Sequence, residues 1–223
     1  MSLSESVWDR HGSDEMGVRL YVTAVSFFTI LGLVISSVLG VMTMDWKPNI
    51  IVLILVGLVI PILGIFIALR SDDWPISLIG YLMLVVPFGA IMGPTVAMYK
   101  IDVVITAFLA TAGVTLFTSL IGIIYPKSLE HWGGYLFTGL LALLGVRIVQ
   151  IFLPVGVEEP GWYIWVEYAG ALLFSLYIIF DWNRAMQIPR TLDNAVDSAL
   201  AIYLDIVNLF LHLLRIFGSS SDD

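Results

Sequence analysis

The 223-residue chain has no cysteine and few charged side chains. The lack of cysteine excludes disulfides, thiolate catalysis, thiol redox sensing, palmitoylation and cysteine-based zinc sites. Charged residues make up 13% of the chain and hydrophobic residues 59%, against roughly 25% and 45–50% in a soluble domain. Together with a mean hydropathy of +0.97, this composition predicts an integral membrane protein.

Basic residues are scarce as well. Ten Lys and Arg against eighteen Asp and Glu give a net charge of −8. Nucleic-acid binding needs clustered Lys and Arg, so nucleic acid is excluded as a partner. The residues imply no cofactor. The bilayer is the one partner that the composition demands.

Apolar runs of about 18 residues or more are typical of membrane-spanning helices. Seven such runs separated by short polar breaks predict an all-α protein with one transmembrane domain over 18–217. A polar segment, 1–17, precedes this domain, and a polar acidic tail, 218–223, follows it. The predicted spans are 18–42, 50–69, 76–98, 103–125, 133–153, 162–180 and 196–217.

Sidedness follows from the basic residues, because cytoplasmic loops carry the excess of Lys and Arg. With a cytoplasmic N-terminus, the cytoplasmic side holds Arg10, Arg19, Arg70, Lys127, Arg184 and Arg190. The opposite side holds Lys47, Lys100 and Arg215. We therefore predict a cytoplasmic N-terminus, with Asp181 at the cytoplasmic end of helix 6 and Asp205 roughly 13 Å inside helix 7.

Spaced small residues and prolines mark helix contacts and bends. Gly32, Ser36 and Gly40 on helix 1, and Gly89 and Gly93 on helix 3, predict close helix packing. Pro61, Pro87 and Pro94 predict kinks, because proline removes a backbone hydrogen bond.

Two aspartates interrupt the last two apolar runs, Asp181 after 176–180 and Asp205 after 202–204. An ionised carboxylate at membrane depth costs several kcal/mol or becomes protonated, so each is a candidate functional residue. At about 100° per residue, one face of helix 7 also carries Asp197, Asn208, His212 and Arg215. Two interpretations stay open for this face. Asn208 and His212 either line a pathway or hydrogen bond to neighbouring helices, while the charges at the ends reach toward the interfaces.

The residues of this C-terminal region also resemble a known family. The run 201–215, AIYLDIVNLFLHLLR, and the run 174–181, FSLYIIFD, are similar to the C-terminal signature of the Bax inhibitor-1 (transmembrane Bax inhibitor motif) family, closest to its prokaryotic calcium-leak members. The resemblance implies two three-helix layers around a central C-terminal helix, in a protein of the prokaryotic plasma membrane. It also implies a pH-sensitive calcium leak and a hydrogen-bonded aspartate pair that senses pH.

Carried over residue by residue, the resemblance makes Asp181 and Asp205 the pH sensor and gate, and Arg70 the latch. The residues themselves make Asp181 and Asp205 a candidate site for transient calcium binding, and Asn208 and His212 candidate pore-lining residues. One departure concerns helix 2, where the relatives have an acid three turns before the arginine and this chain has Leu58, Val59 and Ile60. The resemblance therefore does not extend to a calcium site built on that acid.

The pair has a physical role in this scheme, because two adjacent carboxylates share a proton and titrate as one unit. Calcium prefers six to eight oxygen ligands, and the few available here suit passage better than storage.

Three alternatives to a leak remain. A proton-coupled carrier could use Arg147, Gln150 and Glu167, although Glu167 is more simply placed at the outer interface. A non-conducting membrane scaffold would bind other membrane proteins. An intramembrane aspartyl protease also uses two aspartates on its sixth and seventh spans, but Asp205 follows Tyr203 and Leu204 where those enzymes have Gly-x-Gly. We therefore expect no enzyme activity.

Overall fold

The structure, a computed structural model, describes residues 15–152 and 162–220. Most of the predicted N-terminal segment, the break at 154–161 and the last three residues of the acidic tail lie outside the described residues. Within the described part, seven helices are long and apolar enough to cross a membrane, as predicted. They are α1 (Val18–Met42), α2 (Ile50–Arg70), α3 (Trp74–Val96), α4 (Ile101–Ile124), α5 (Gly133–Phe152), α6 (Tyr163–Gln187) and α7 (Leu192–Ser219).

The connection between α6 and α7 is shorter than its polar sequence predicts. α6 continues to Gln187 and α7 begins at Leu192, because polar residues of the predicted break 183–195 are helical. Thr191 caps α7, with its Oγ accepting the Asn194 N–H at 3.1 Å. Asp181 therefore lies inside α6 and not at its end, and Asp205 lies about 20 Å from the start of α7 rather than the predicted 13 Å.

α2 is not a uniform helix. A π-helical turn, Leu55–Val59, separates α-helical Ile50–Ile54 from Ile60–Arg70. Pro61 lies two residues after this turn and has no N–H to donate to it, which favours the wider backbone. The kink predicted at Pro61 thus takes the form of a π turn.

By their contacts, the helices form two compact units. The first contains α1, α2, α3 and α7 up to Tyr203, and the second contains α4, α5, α6 up to Arg184, and α7 from Leu204. Each unit therefore has three spanning helices and one half of α7.

In the first unit, α1 and α3 approach closely at the predicted small residues. A Cβ on Gly89 would lie 2.6 Å from the Ser36 Cα, and one on Gly93 would lie 2.5 Å from the Gly40 carbonyl oxygen. Only glycine allows such an approach, so the small-residue pattern is confirmed as a helix-packing surface.

Buried hydrogen bonds tie the first half of α7 to α1 and α3 in the same unit. Ser77 donates to Asp193 Oδ1 at 2.6 Å. The Tyr21 and Ser198 hydroxyls lie 3.1 Å apart, and those of Ser36 and Tyr203 2.5 Å apart. Polar groups on α7 therefore face protein rather than lipid in this unit.

Candidate functional site

Asp181 of α6 and Asp205 of α7 meet in the second unit, where their side chains are hydrogen bonded to each other. Asp205 is buried, with 6% of its surface exposed, and Asp181 is half-buried. An ionised carboxylate can only accept hydrogen bonds, so a bond between two carboxyl groups requires a proton on one of them. The structure thus brings together the two acids that the sequence selects. Their role as a pH sensor stays a prediction.

Asp181 lies in a largely buried stretch of α6, in which Ile178, Phe180 and Trp182 are all buried. Tyr177, one turn before Asp181, lies within electrostatic range of both carboxyl groups. The guanidinium of Arg184, one turn after Asp181, lies within electrostatic range of Asp181. The pair therefore has a cation on its own helix, and the sequence did not indicate this residue.

Asn183 fixes the turn of α6 that carries Asp181. Its Oδ1 accepts the Leu129 N–H at 2.9 Å, and its Nδ2 donates to the Tyr125 and Lys127 carbonyls at 3.0 Å each. Only 1% of Asn183 is exposed. The α4–α5 connection is therefore held against α6 beside the pair, where Leu129 also joins a buried apolar cluster with Phe180.

Arg70, the predicted latch, is the last residue of α2 in the first unit and is exposed. Its guanidinium lies 4.4 Å from the centre of the Phe66 ring, in cation–π contact. The action of Arg70 on the aspartates stays a prediction.

The two predicted pore-lining residues make different contacts. The Asn208 Nδ2 donates to the Leu204 carbonyl of its own helix at 2.8 Å and is half-buried. His212 is 4% exposed, and its Nδ1 lies 2.7 Å from Glu167 Oε2. Both lie on the same half of α7 as Asp205. Whether they line a pathway remains a prediction.

Glu167 is the centre of a second polar cluster in the second unit. It is buried, with 6% exposed, and accepts from Arg147 Nη2 at 2.6 and 2.7 Å and from Arg215 Nη1 at 3.5 Å. Gln150 Oε1 accepts from the other Arg147 nitrogen at 3.0 Å. The expectation of a merely interfacial Glu167 therefore missed its bonds to α5 and α7. We call Arg147, Gln150, Glu167, His212 and Arg215 the Glu167 cluster.

The His212 ring packs closely against α6. It stacks on Phe174, with 5.6 Å between ring centres and 27° between planes. A Cβ on Gly170 would overlap the His212 ring. Because the Glu167 carboxylate can only accept, the Nδ1 of His212 carries the proton in this arrangement. Glu167, Gly170 and Phe174, at helical spacing, thus hold the ring.

From the sequence, Arg147, Gln150 and Glu167 were grouped only as polar residues of a possible carrier, while His212 and Arg215 were assigned separately to one face of helix 7. Arg147 and Gln150 are three residues apart, as are His212 and Arg215, so each pair shares a helix face. That spacing was the available signal for polar faces on α5 and α7. The signal does not indicate which carboxylate joins the faces, because contacts between helices leave no trace in a single sequence.

In the described part of the chain, no group of three or more His, Cys, Asp or Glu side chains could hold a metal ion. A calcium ion at Asp181 and Asp205 would therefore take most of its ligands from carbonyls and water.

Seven apolar helices with a hydrogen-bonded acid pair on the last two define a multi-pass membrane protein with an intramembrane carboxyl pair. The family described as Inhibitor of apoptosis-promoting Bax1 matches residues 18–222. The chain belongs to this Bax inhibitor-1 family, which confirms the resemblance found in its C-terminal region.

Several relatives have the same membership. Inner membrane protein YbhL of Escherichia coli K12 is 29% identical over 178 residues, which is 74% of this chain and 74% of that protein. BI1-like protein of Arabidopsis thaliana is 31% identical over 149 residues, 64% of this chain and 55% of that protein. Protein lifeguard 4 of Mus musculus is 31% identical over 120 residues, 54% and 48% of the two chains.

Proposed function

We propose that this protein is a calcium leak channel whose opening is controlled by the proton shared between Asp181 and Asp205. The observation that carries the proposal is the hydrogen bond between the two carboxyl groups, one on α6 and one on α7. Such a bond exists only while a proton is present. The contact between the two helices therefore depends on pH.

Loss of the shared proton replaces a hydrogen bond by repulsion between like charges. In a site that excludes water this change amounts to several kcal/mol at most, which is enough to shift an equilibrium between two packings. Arg184 supplies a fixed positive charge that partly offsets the repulsion at Asp181. Arg70 is the proposed latch, a second cation that favours the ionised pair.

Calcium as the cargo is supported by family membership and by the oxygen ligands of the pair. Each carboxylate supplies two oxygens, far fewer in total than the six to eight that calcium prefers for storage. Weak binding allows release, which conduction requires. Asn208 and His212, on the same half of α7, are the proposed pore-lining residues. The proposed location is a prokaryotic plasma membrane, as the name of the Escherichia coli relative says of that protein.

The test is calcium flux into liposomes as a function of pH. In Asp205→Asn, the amide stands in for a protonated acid and still donates to Asp181. We expect this variant to show, at every pH, the flux that the wild type reaches at its acidic limit. Asp181→Asn should behave alike.

Asp102→Asn is the matched control, because Asp102 is an exposed acid in the first turn of α4. It should keep the wild-type pH profile. A wild-type profile in Asp205→Asn would refute the shared-proton gate.

The Glu167 cluster favours a proton-coupled carrier as the second candidate, because it places a buried carboxylate and a histidine between helices. A carrier would move calcium only with a co-substrate gradient, whereas a leak needs none and a scaffold passes nothing. The same liposomes distinguish the three. Proteolysis blocked by a transition-state aspartyl inhibitor would instead identify a protease.

A further inference from the structure

The Glu167 cluster has more hydrogen-bond donors than acceptors. Two guanidinium groups, Arg147 and Arg215, share one carboxylate with the His212 N–H. Arg215 reaches Glu167 at only 3.5 Å and its side chain is 37% exposed, while that of Arg147 is 29% exposed. The two guanidinium groups and the one carboxylate together carry one net positive charge, and they have more N–H groups than this carboxylate can accept.

Gln150 adds a donor that is buried and unsatisfied. Its Oε1 accepts from Arg147, which fixes the direction of the amide. Its Nε2 is buried and has no hydrogen-bond partner among the described residues. Because this nitrogen is shielded, the Gln150 amide contributes by holding the Arg147 guanidinium rather than by contacting a ligand.

Exposed aromatic residues indicate the depth of the cluster in the membrane. Trp162 is 43% exposed, Trp165 70% and Tyr168 49%, all at the N-terminal end of α6. Exposed Trp and Tyr collect at the level of the lipid head groups. Glu167 lies next to Tyr168 on the same turn, so the cluster lies near the depth of the lipid phosphates.

We propose that the Glu167 cluster binds a phosphate group, whose oxygens accept hydrogen bonds from the partly exposed Arg147 and Arg215. Guanidinium groups present parallel N–H donors that match the oxygens of phosphate. At head-group depth the source is an anionic phospholipid. Glu167 holds the two arginines in place and at the same time weakens binding through its negative charge.

The opposing effects of arginine and glutamate make the proposal testable. Purified protein in detergent is titrated with phosphatidylglycerol, with phosphatidylcholine and with inorganic phosphate, and binding is followed by native mass spectrometry. We expect phosphatidylglycerol to bind more tightly than phosphatidylcholine. Arg215→Gln should weaken phosphatidylglycerol binding roughly tenfold, and Glu167→Gln should tighten it.

Lys127→Gln is the control, because Lys127 is an exposed cation at the α4–α5 connection. It should bind as the wild type does. Tighter binding by Glu167→Gln requires a folded site, so this variant separates loss of an anion site from misfolding. Equal affinity for the two lipids, or unchanged binding in Arg215→Gln, would overturn the proposal. Binding of inorganic phosphate with no preference for phosphatidylglycerol would overturn the lipid source.

Discussion

At the scale of single residues, Gly170 shows how a missing side chain defines a polar contact in a membrane protein. The His212 ring occupies the space where a Cβ on Gly170 would lie. Glu167 and Phe174 hold the same ring from the neighbouring turns of α6. Glycine is therefore required at this position for α7 to bring His212 to Glu167.

We predict that Gly170→Ala destabilises the protein by about 1–3 kcal/mol, because the new methyl group must displace the packed His212 ring. Thermal unfolding in detergent measures the effect. Gly145→Ala on α5 is the control, since a Cβ there meets nothing within 4 Å and alanine favours a helix over glycine. It should leave the stability unchanged or raise it. Equal effects of both substitutions would contradict the packing argument.

At the scale of helices and connections, the Asn183 side chain makes hydrogen bonds with backbone groups of the α4–α5 connection. The connection between α4 and α5 has few regular hydrogen bonds of its own, and one amide side chain of α6 satisfies three of its backbone groups. The bond to the Leu129 N–H is buried, so without Asn183 this donor would have no partner and no ready access to water. The order of this connection thus depends on a residue two positions after Asp181.

Asn183→Ala should therefore loosen the α4–α5 connection and cost about 1–3 kcal/mol. Hydrogen exchange read by mass spectrometry should show faster exchange over residues 125–129, above all at the Leu129 amide that Asn183 accepts. Asn208→Ala is the control. Among the described residues, the Asn208 side chain donates to the Leu204 carbonyl of its own helix and not to the α4–α5 connection. Unchanged exchange at Leu129 would show that the connection is ordered by its apolar contacts instead.

At the scale of the whole molecule, the number of membrane spans determines whether the two ends of the transmembrane domain lie on the same side of the membrane or on opposite sides. An odd number of spans, seven among the described residues, predicts that the two ends of the transmembrane domain lie on opposite sides of the membrane. The basic residues predict a cytoplasmic N-terminus. In that orientation the α2–α3, α4–α5 and α6–α7 connections would lie on the cytoplasmic side.

The natural absence of cysteine makes this orientation directly measurable. We expect Ser128→Cys, in the exposed α4–α5 connection, to react with a membrane-impermeant thiol reagent only from the cytoplasmic side. Met98→Cys should react only from the other side, because Met98 is 83% exposed in the α3–α4 connection. Intact cells and inverted vesicles give the two accessibilities. The reverse pattern would mean an N-terminus outside.

Much of the fold was predictable because apolar length alone determines a membrane-spanning helix. The α6–α7 connection was misjudged, since Arg184 and Asp193 look like loop residues when hydropathy is the only criterion, although both are helical. Asp181 and Asp205 were found because an acid in an apolar run is costly. The contacts of Glu167 with Arg147 and His212 were not, because they depend on how three helices pack.

The wide turn at Leu55–Val59 changes the direction in which Arg70 points. A π turn holds one residue more than an α turn. The side chains after it are therefore rotated about the helix axis by about 100° from where an uninterrupted α-helix would place them. A helical wheel that treats Ile50–Arg70 as one regular α-helix therefore assigns the residues at one end of the helix to the wrong face. Deleting one residue from this stretch would re-aim the guanidinium by about a quarter of a circle while leaving its chemistry intact, an angular adjustment that no substitution can provide.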